Sequence, residues 1–248
     1  MRLKDKVAIV TGAASGFGEG IARRFAAEGA KVIIADIQEE AGRKIAADIG
    51  DAATFVTCDV TKAADWASCV QEAVDQFGRL DIVVNNAGYS HYNKPMLEVD
   101  EAEFDRTYAV NVKGLYHSAQ AAVPVFRAQG GGCFLNIAST AGVRPRPGLS
   151  WYNSSKFAAI GITKSMAVEL APEQIRVCAI NPVAGDTPLL ERFMGEDTPE
   201  KRAAFKASVP IGRLSTPTDI ANAAVFLCSD EAEFLTGVCL EVDGGRCI

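Results

Sequence analysis

The chain has 248 residues, 48% of them hydrophobic, and a formal net charge of −6 from 25 basic and 31 acidic side chains. This length and apolar fraction suit one large domain with its own core, and an acidic balance without a basic run excludes a nucleic-acid or anionic-membrane footprint. No apolar stretch reaches membrane-spanning length, and MRLKDKVAIV is too short and charged to read as a signal peptide. Seven scattered cysteines with no paired spacing read as buried or incidental thiols in a reducing cytoplasm. With His91 and His117 as the whole histidine complement, no metal centre is expected.

Val7–Thr11 reads as a short apolar strand, followed by the turn TGAASGFG with glycines at 12, 16 and 18. A helix is expected over Glu19–Glu28 and a second apolar strand over Val32–Ala35, ending at Asp36. Near-continuous apolar strands around a helix describe a βαβ unit of a parallel sheet buried on both faces. Glycine lets the backbone approach a pyrophosphate, and a helix N-terminus directs its free N–H groups at the anion. Asp36, about 20 residues on, can accept both ribose hydroxyls of NAD. Its charge would repel the 2′-phosphate of NADP, and Ser15 and Ile37 offer no cation to offset it. NAD is the favoured reading; the alternative is a plain helix-capping Asp36 before Gln38–Ile49.

Thr54–Cys58 is the third predicted strand, with Asp59 and Val60 at its carboxyl end, and Ala63–Phe77 is an amphipathic helix. Asp81–Val84 follows as strand four and ends in Asn85-Asn86-Ala87-Gly88. Glu101–Gln129 predicts one long helix carrying Asn111, with Pro124 kinking it or ending it early. Beyond strands Gly132–Ala138 and Ile175–Ile180, the segment at about 188–208 mixes apolar and charged residues around Gly195 and Pro199, as suits a mobile helical lid. Pro217–Cys228 is a helix with proline in its first turn, and Val238–Val242 is the last strand. The alternation predicts an α/β fold, a doubly wound Rossmann-type parallel sheet of about seven strands with helices on both faces in a single domain, 1–248.

Between strand five and the following helix, predicted over Tyr152–Leu170, runs FLNIASTAGVRPRPGLSWYNSSK. Ser139 ends the strand, Tyr152 opens the helix, and Lys156 lies four residues on, on the same helical face. A free phenol titrates near 10. A cation about 4 Å away is worth roughly 1 kcal/mol to the phenolate in water and about 4 at an intermediate dielectric, the larger value bringing the phenol down to about 7. Tyr152 then becomes a general acid or base for an alcohol, with Ser139 holding the substrate oxygen. Arg144 and Arg146 in the loop either clamp an anionic substrate group or are solvated surface charge. Tyr89, His91, Val143, Trp151, Leu190 and Phe193 are expected to wall a partly apolar pocket.

Taken together, TGAASGFG, NNAG at 85–88, Asn111, Ser139 and Tyr152-x-x-x-Lys156 resemble the short-chain dehydrogenase/reductase family, from Lys6 to Gly245. The resemblance implies a catalytic tetrad of Asn111, Ser139, Tyr152 and Lys156, with Lys156 also binding the nicotinamide ribose and Asn111 holding a relay water. It implies that Gly12, Ser15, Gly16, Phe17 and Gly18 line the phosphates and that Asp59 and Val60 flank the adenine. Asn86, Ala87 and Gly88 would support the cofactor, with Tyr152, Lys156, Pro182, Gly185 and Thr187 around its nicotinamide end. One departure stands out: family members usually carry Pro-Gly after strand six and Val or Ile two residues later, whereas Val183 and Gly185 stand at those places here. The implied activity is reversible hydride transfer between NAD(H) and a small-molecule secondary alcohol or ketone in a cytoplasmic homotetramer. Reduction of 3-oxoacyl thioesters is the nearer alternative, and a catalytically silent NAD-binding redox sensor the more distant one.

Overall fold

Strand residues alternate between two hydrophobic cores, which is why the strands read as unbroken apolar runs. Ala8 and Val10 of β1 (Val7–Thr11) face one core, Val7 and Ile9 the other, and Val32/Ile34 and Ile33/Ala35 of β2 (Lys31–Asp36) divide the same way. The computed structural model describes every residue, Met1–Ile248. The remaining strands are β3 (Ala53–Thr57), β4 (Ile82–Asn85), β5 (Gly132–Ile137), β6 (Ile175–Pro182) and β7 (Cys239–Val242). All seven form one parallel sheet in the order β3-β2-β1-β4-β5-β6-β7, the doubly wound architecture expected.

Helices α1 (Gly16–Ala27) and α2 (Glu39–Ile49) send Ile21, Phe25 and Ile45 into the first core, and α3 (Ala63–Phe77) sends Trp66 and Val70 into the second. The chain winds outward from β1 to β3 and returns beside β1 as β4, so the connections leaving the carboxyl ends of β1 and β4 run to opposite faces of the sheet and leave a crevice there. The expected start of α1 at Glu19 falls short by three residues, because Gly16 and Gly18 already belong to the first helical turn.

The predicted long helix is interrupted, but not where proline suggested. It forms α4 (Glu101–Tyr108), a π-turn over Ala109–Lys113 and α5 (Gly114–Gln129), which runs straight through Pro124. Pro124 lies on the exposed side, where water can take the carbonyl that its missing N–H leaves free. The widened turn instead carries Asn111, in keeping with π-turns at functional positions. Helix α6 (Ser150–Leu170) starts two residues before its expected boundary, placing Tyr152 inside the first turn. The segment expected to form a lid folds as two short helices, α7 (Leu190–Met194) and α8 (Pro199–Ala207), with Leu190 and Met194 packed on Leu214. Helix α9 (Pro217–Cys228) closes the first core beside α1. The seven cysteines are free thiols, five of them buried, and no helix is long and apolar enough to cross a membrane.

Candidate active site

At the floor of the crevice, the side chains of Thr11 and Asn86 tie the end of β1 to the segment after β4 through main-chain groups. The Asn86 amide donates to the carbonyls of Thr11 (2.8 Å) and Gly12 (3.2 Å), while the Thr11 hydroxyl accepts from the N–H groups of Asn86 and Ala87. Gly12 has φ +62°, and a Cβ there would lie 2.9 Å from Ala87 Cα, so no other residue fits this crossing. Ser15 is the N-cap of α1 and makes no side-chain cap bond, which leaves the helix N-terminus facing the crevice with unfilled donors. This cradle suits a dinucleotide pyrophosphate.

Asp36 is only 5% exposed. Its carboxylate accepts from Ala14 N and Gln38 N, both at 2.9 Å, so it ties the glycine turn to β2. Gln38, not Asp36, is the N-cap of α2, so Asp36 holds the residue before the helix instead of capping it, and its carboxylate has lone pairs left after these two bonds. Arg43, the first basic residue after β2, is bound to Glu39 at 2.8 Å and lies over the Phe55 ring. Asp59 accepts from Thr61 N and Oγ1, and Val60 is buried with its carbonyl taken by the Trp66 indole N–H at 3.2 Å. Both follow β3 at the sheet's carboxyl edge.

On the far side of the crevice, β5 ends in a 3₁₀ turn, Thr140–Gly142, whose N-cap is Ser139 with its Oγ accepting from Ala141 N at 3.0 Å. Gly142 lets this turn lie directly on α6: a Cβ would sit 2.8 Å from the Lys156 carbonyl. Ser139, Tyr152 and Lys156 consequently line one cavity of about 300 Å³, together with Gly12, Phe17 and Asn86–Gly88. Asn111 binds the Tyr89 backbone in both directions, donating to Tyr89 O at 2.8 Å and accepting from Tyr89 N at 2.9 Å. Its second amide N–H goes to Ser155 Oγ at 2.9 Å, leaving one lone pair of Oδ1 for a water. Gly88 lies between them; a Cβ on it would be 3.7 Å from Asn111 Oδ1 and 3.8 Å from Lys156 Nζ.

The electrostatics differ from the sequence expectation. Tyr152 and Lys156 are 4% and 5% exposed, and burial penalises the charged form of each. The Lys156 amine is pulled down to about 8, and the Tyr152 phenol is pushed up to about 12, opposed in part by a Ser139 hydrogen bond. Lys156 Nζ donates to Ile137 O at 2.9 Å and lies 5.8 Å from the centre of the Tyr152 ring. No hydrogen bond joins the two side chains, and in the protein alone the cation does not bring the phenol down.

Of the expected pocket wall, Tyr89 and Phe193 line the cavity, with the Phe193 ring 5.0 Å from that of Tyr152. Leu190 turns instead into the cluster with Met194 and Leu214, His91 is fully buried with Nδ1 on Tyr92 O, and the Trp151 indole reaches Met96 O. Val143 is exposed on the loop surface. Ile137, Leu189 and Arg192 complete the wall. Arg144 donates to the Arg246 carbonyl at 2.8 Å. Arg146 is half-buried on the Phe205 ring of α8 and bonded to Ser208 Oγ, and that burial, with Arg246 and Arg144 nearby, draws it down to about 10. Arg146 therefore braces the end of α8 and is not a solvated charge.

Pro182, Gly185 and Thr187 reach the same cavity. The departure at Gly185 has a local cause, for a Cβ there would collide with the Phe17 ring. Phe17 fills the space that a side chain after β6 would take, a pairing between distant segments that no motif reveals.

A parallel doubly wound sheet with this crevice and this Ser–Tyr–Lys cluster defines a class, and comparison with known proteins agrees. A family model described as enoyl-(acyl carrier protein) reductase matches residues 12–246. The chain belongs to the short-chain dehydrogenase/reductase family of oxidoreductases. It is 52% identical to the 4-formylbenzenesulfonate dehydrogenase of Comamonas testosteroni, over 99% of both chains. It is 38% identical to a 2,5-dichloro-2,5-cyclohexadiene-1,4-diol dehydrogenase of Sphingobium indicum, over 98% of this chain and 97% of that one. Among solved structures, the 3-ketoacyl-(acyl-carrier-protein) reductase of Brucella melitensis complexed with NADH superposes with a TM-score of 0.95 at 48% identity, covering 99% of this chain and 100% of the other.

Two outcomes follow from this geometry. Because the folded Lys156 titrates near 8 against 10.5 when free, the unfolded chain binds the extra proton between those values and stability rises with pH across that window. Between pH 7.5 and 9.5 the buried thiols, whose titration burial pushes up, pull stability the other way in both proteins, so the expected outcome is a difference: the urea-unfolding free energy of the parent changes by about 1–2 kcal/mol more favourably than that of Lys156→Met, and an equal change in both would refute the burial argument. Gly185→Ala is expected to destabilise by about 1–3 kcal/mol, and Phe17→Leu to recover most of that loss in the double variant. Additive losses would separate the two sites.

Proposed function

We propose that the chain is an NAD(H)-linked dehydrogenase interconverting an alcohol and its carbonyl compound, with Asn111, Ser139, Tyr152 and Lys156 as its working residues. The observation that carries this reading is the convergence of Ser139, Tyr152 and Lys156 on one cavity that opens onto the glycine crevice. NAD supplies the hydride acceptor at its nicotinamide ring. Ser139 hydrogen-bonds the substrate oxygen, and Tyr152 takes the hydroxyl proton in oxidation or returns it in reduction. Lys156 is cationic below about pH 8 and favours negative charge developing on that oxygen. Asn111 clips the Tyr89 segment that forms the facing wall.

Near neutrality the buried phenol keeps its proton, the form needed to protonate a reduced carbonyl oxygen, and oxidation requires its removal. Alcohol oxidation therefore gains with rising pH, while carbonyl reduction does not. Preference for NAD is supported by the buried Asp36 carboxylate, by Arg43 being engaged elsewhere, and by the solved relative complexed with NADH. That relative's name also motivates the second reading, reduction of a 3-oxoacyl thioester.

Both readings meet one steady-state panel of aryl and aliphatic alcohols, sugars, hydroxy acids and an acetoacetyl thioester, with NAD(H) and NADP(H). Tyr152→Phe is expected to lose about 10²–10⁴-fold in turnover while retaining NADH binding. Asp36→Asn is expected to shift the NADP-to-NAD ratio of kcat/KM by at least about tenfold towards NADP. Parent-level turnover in Tyr152→Phe would remove the phenol from the mechanism. An unchanged cofactor ratio would remove Asp36 from recognition.

Assembly as a homotetramer is supported by apolar side chains left exposed on the two long helices, Tyr116 on α5 with Phe157 and Val168 on α6. Light scattering is expected to give the mass of four chains, and a monomer mass would reject it.

A further inference from the structure

Apart from Lys156, the cavity is lined by one charged side chain, Arg192, and by no carboxylate. Arg192 lies on α7, next to Phe193, whose ring stacks 5.0 Å from that of Tyr152. Most arginines here that lie beside a carboxylate are paired with it, as Arg202 is with Asp197 and Arg213 with Asp219. Arg192 forms no ion pair. Its guanidinium is held between the Tyr89 and Tyr92 rings, 4.9 and 4.7 Å from their centres, and Nη1 donates to the Ser90 carbonyl at 3.0 Å. Nε and Nη2 are left without a protein acceptor.

Rings and one carbonyl fix the plane of the fork without neutralising it. A guanidinium so held loses little further freedom on binding and presents a two-donor edge that matches a planar carboxylate or one face of a sulfonate. The same cavity holds Arg192 and the Ser139–Tyr152 pair, and Tyr89, Ile137, Leu189 and Phe193 are among its apolar walls. A substrate reaching both Arg192 and the pair would carry an anion at the first and its reacting oxygen at the second, with a hydrophobic body between them.

We propose that Arg192 is the specificity-determining residue of this pocket, binding the carboxylate or sulfonate of an anionic alcohol or carbonyl substrate with an aromatic or similarly flat apolar body. The proposal rests on the dehydrogenase reading for the reacting end, but the anion contact itself is independent of turnover. Arg144 and Arg146, the sequence candidates for such a contact, are occupied by the Arg246 carbonyl and by Phe205 with Ser208.

The test compares 4-(hydroxymethyl)benzenesulfonate, 4-(hydroxymethyl)benzoate and uncharged benzyl alcohol in the parent, Arg192→Lys and Arg192→Met, with NAD saturating. The parent is expected to favour at least one anionic alcohol over benzyl alcohol by tenfold or more in kcat/KM. Arg192→Met is expected to lose that preference by at least tenfold, mainly through KM, and Arg192→Lys to lose part of it. The two anionic arms decide between carboxylate and sulfonate. Calorimetric binding of 4-sulfobenzoate and terephthalate to each protein with NADH present reads the contact without catalysis, and NADH titration alone shows whether the cofactor site has moved.

Equal losses on charged and uncharged alcohols would make Arg192 a strut between α7 and the Tyr89 segment and overturn the proposal. So would an unchanged preference in a folded Arg192→Met, or weaker NADH binding that accounts for the whole effect. If Arg192→Met does not fold, Arg192→Lys with full preference for the anionic alcohols also overturns the two-donor contact. If no alcohol is oxidised while 4-sulfobenzoate binds and Arg192→Met abolishes that binding, the dehydrogenase reading fails and the anion site stands.

Discussion

A lysine buried with a single carbonyl as its partner is the constraint on which the site turns. Lys156 gives its ammonium to Ile137 O at the end of β5 and has no carboxylate within reach. An ion removed from water and met only by a dipole is held at a cost, and that cost appears as the depressed titration of the amine. The same dry surroundings hold the Tyr152 phenol neutral. A site so arranged carries an excess of positive potential with nothing in the protein to absorb it. Negative charge forming on a substrate oxygen is what would relieve it.

The rest of the fold keeps that arrangement rigid. Strand β5 supplies the carbonyl, α6 supplies both side chains, and the Ser139 turn joins them while pressing on α6 at Gly142. Asn111, in the widened turn between α4 and α5, fastens the opposite wall through the Tyr89 backbone. At the sheet's centre, Thr11 and Asn86 tie the end of β1 to the segment after β4 at the floor of the crevice. These are hydrogen bonds between elements far apart in sequence, so the geometry of the site depends on the complete sheet.

Much of the molecule was legible before folding. The unbroken apolar strands, the glycine turn and the Tyr–Lys pair four apart depend on spacing within a few residues, where chain geometry leaves little choice. The early helix end that Pro124 suggested does not occur, because the carbonyl it orphans lies on the exposed side where water can take it, and exposure is not legible in the local sequence. Phe17 and Gly185 escaped notice because each is ordinary in its own segment; the collision that couples them exists only when β6 lies beside the glycine turn.

Amino-acid order by itself determined the parallel sheet, the glycine-lined crevice and the pairing of Tyr152 with Lys156 on one helical face, since each follows from local periodicity and the reach of neighbouring side chains. Tertiary structure alone decided how those groups are charged and what faces them. Burial, not the four-residue spacing, sets the titration of Tyr152 and Lys156. Likewise Arg192, and neither of the arginines in the loop beside Tyr152, is the one turned into the cavity. Desolvation and orientation are collective properties of packed elements, and no single stretch of the chain contains them.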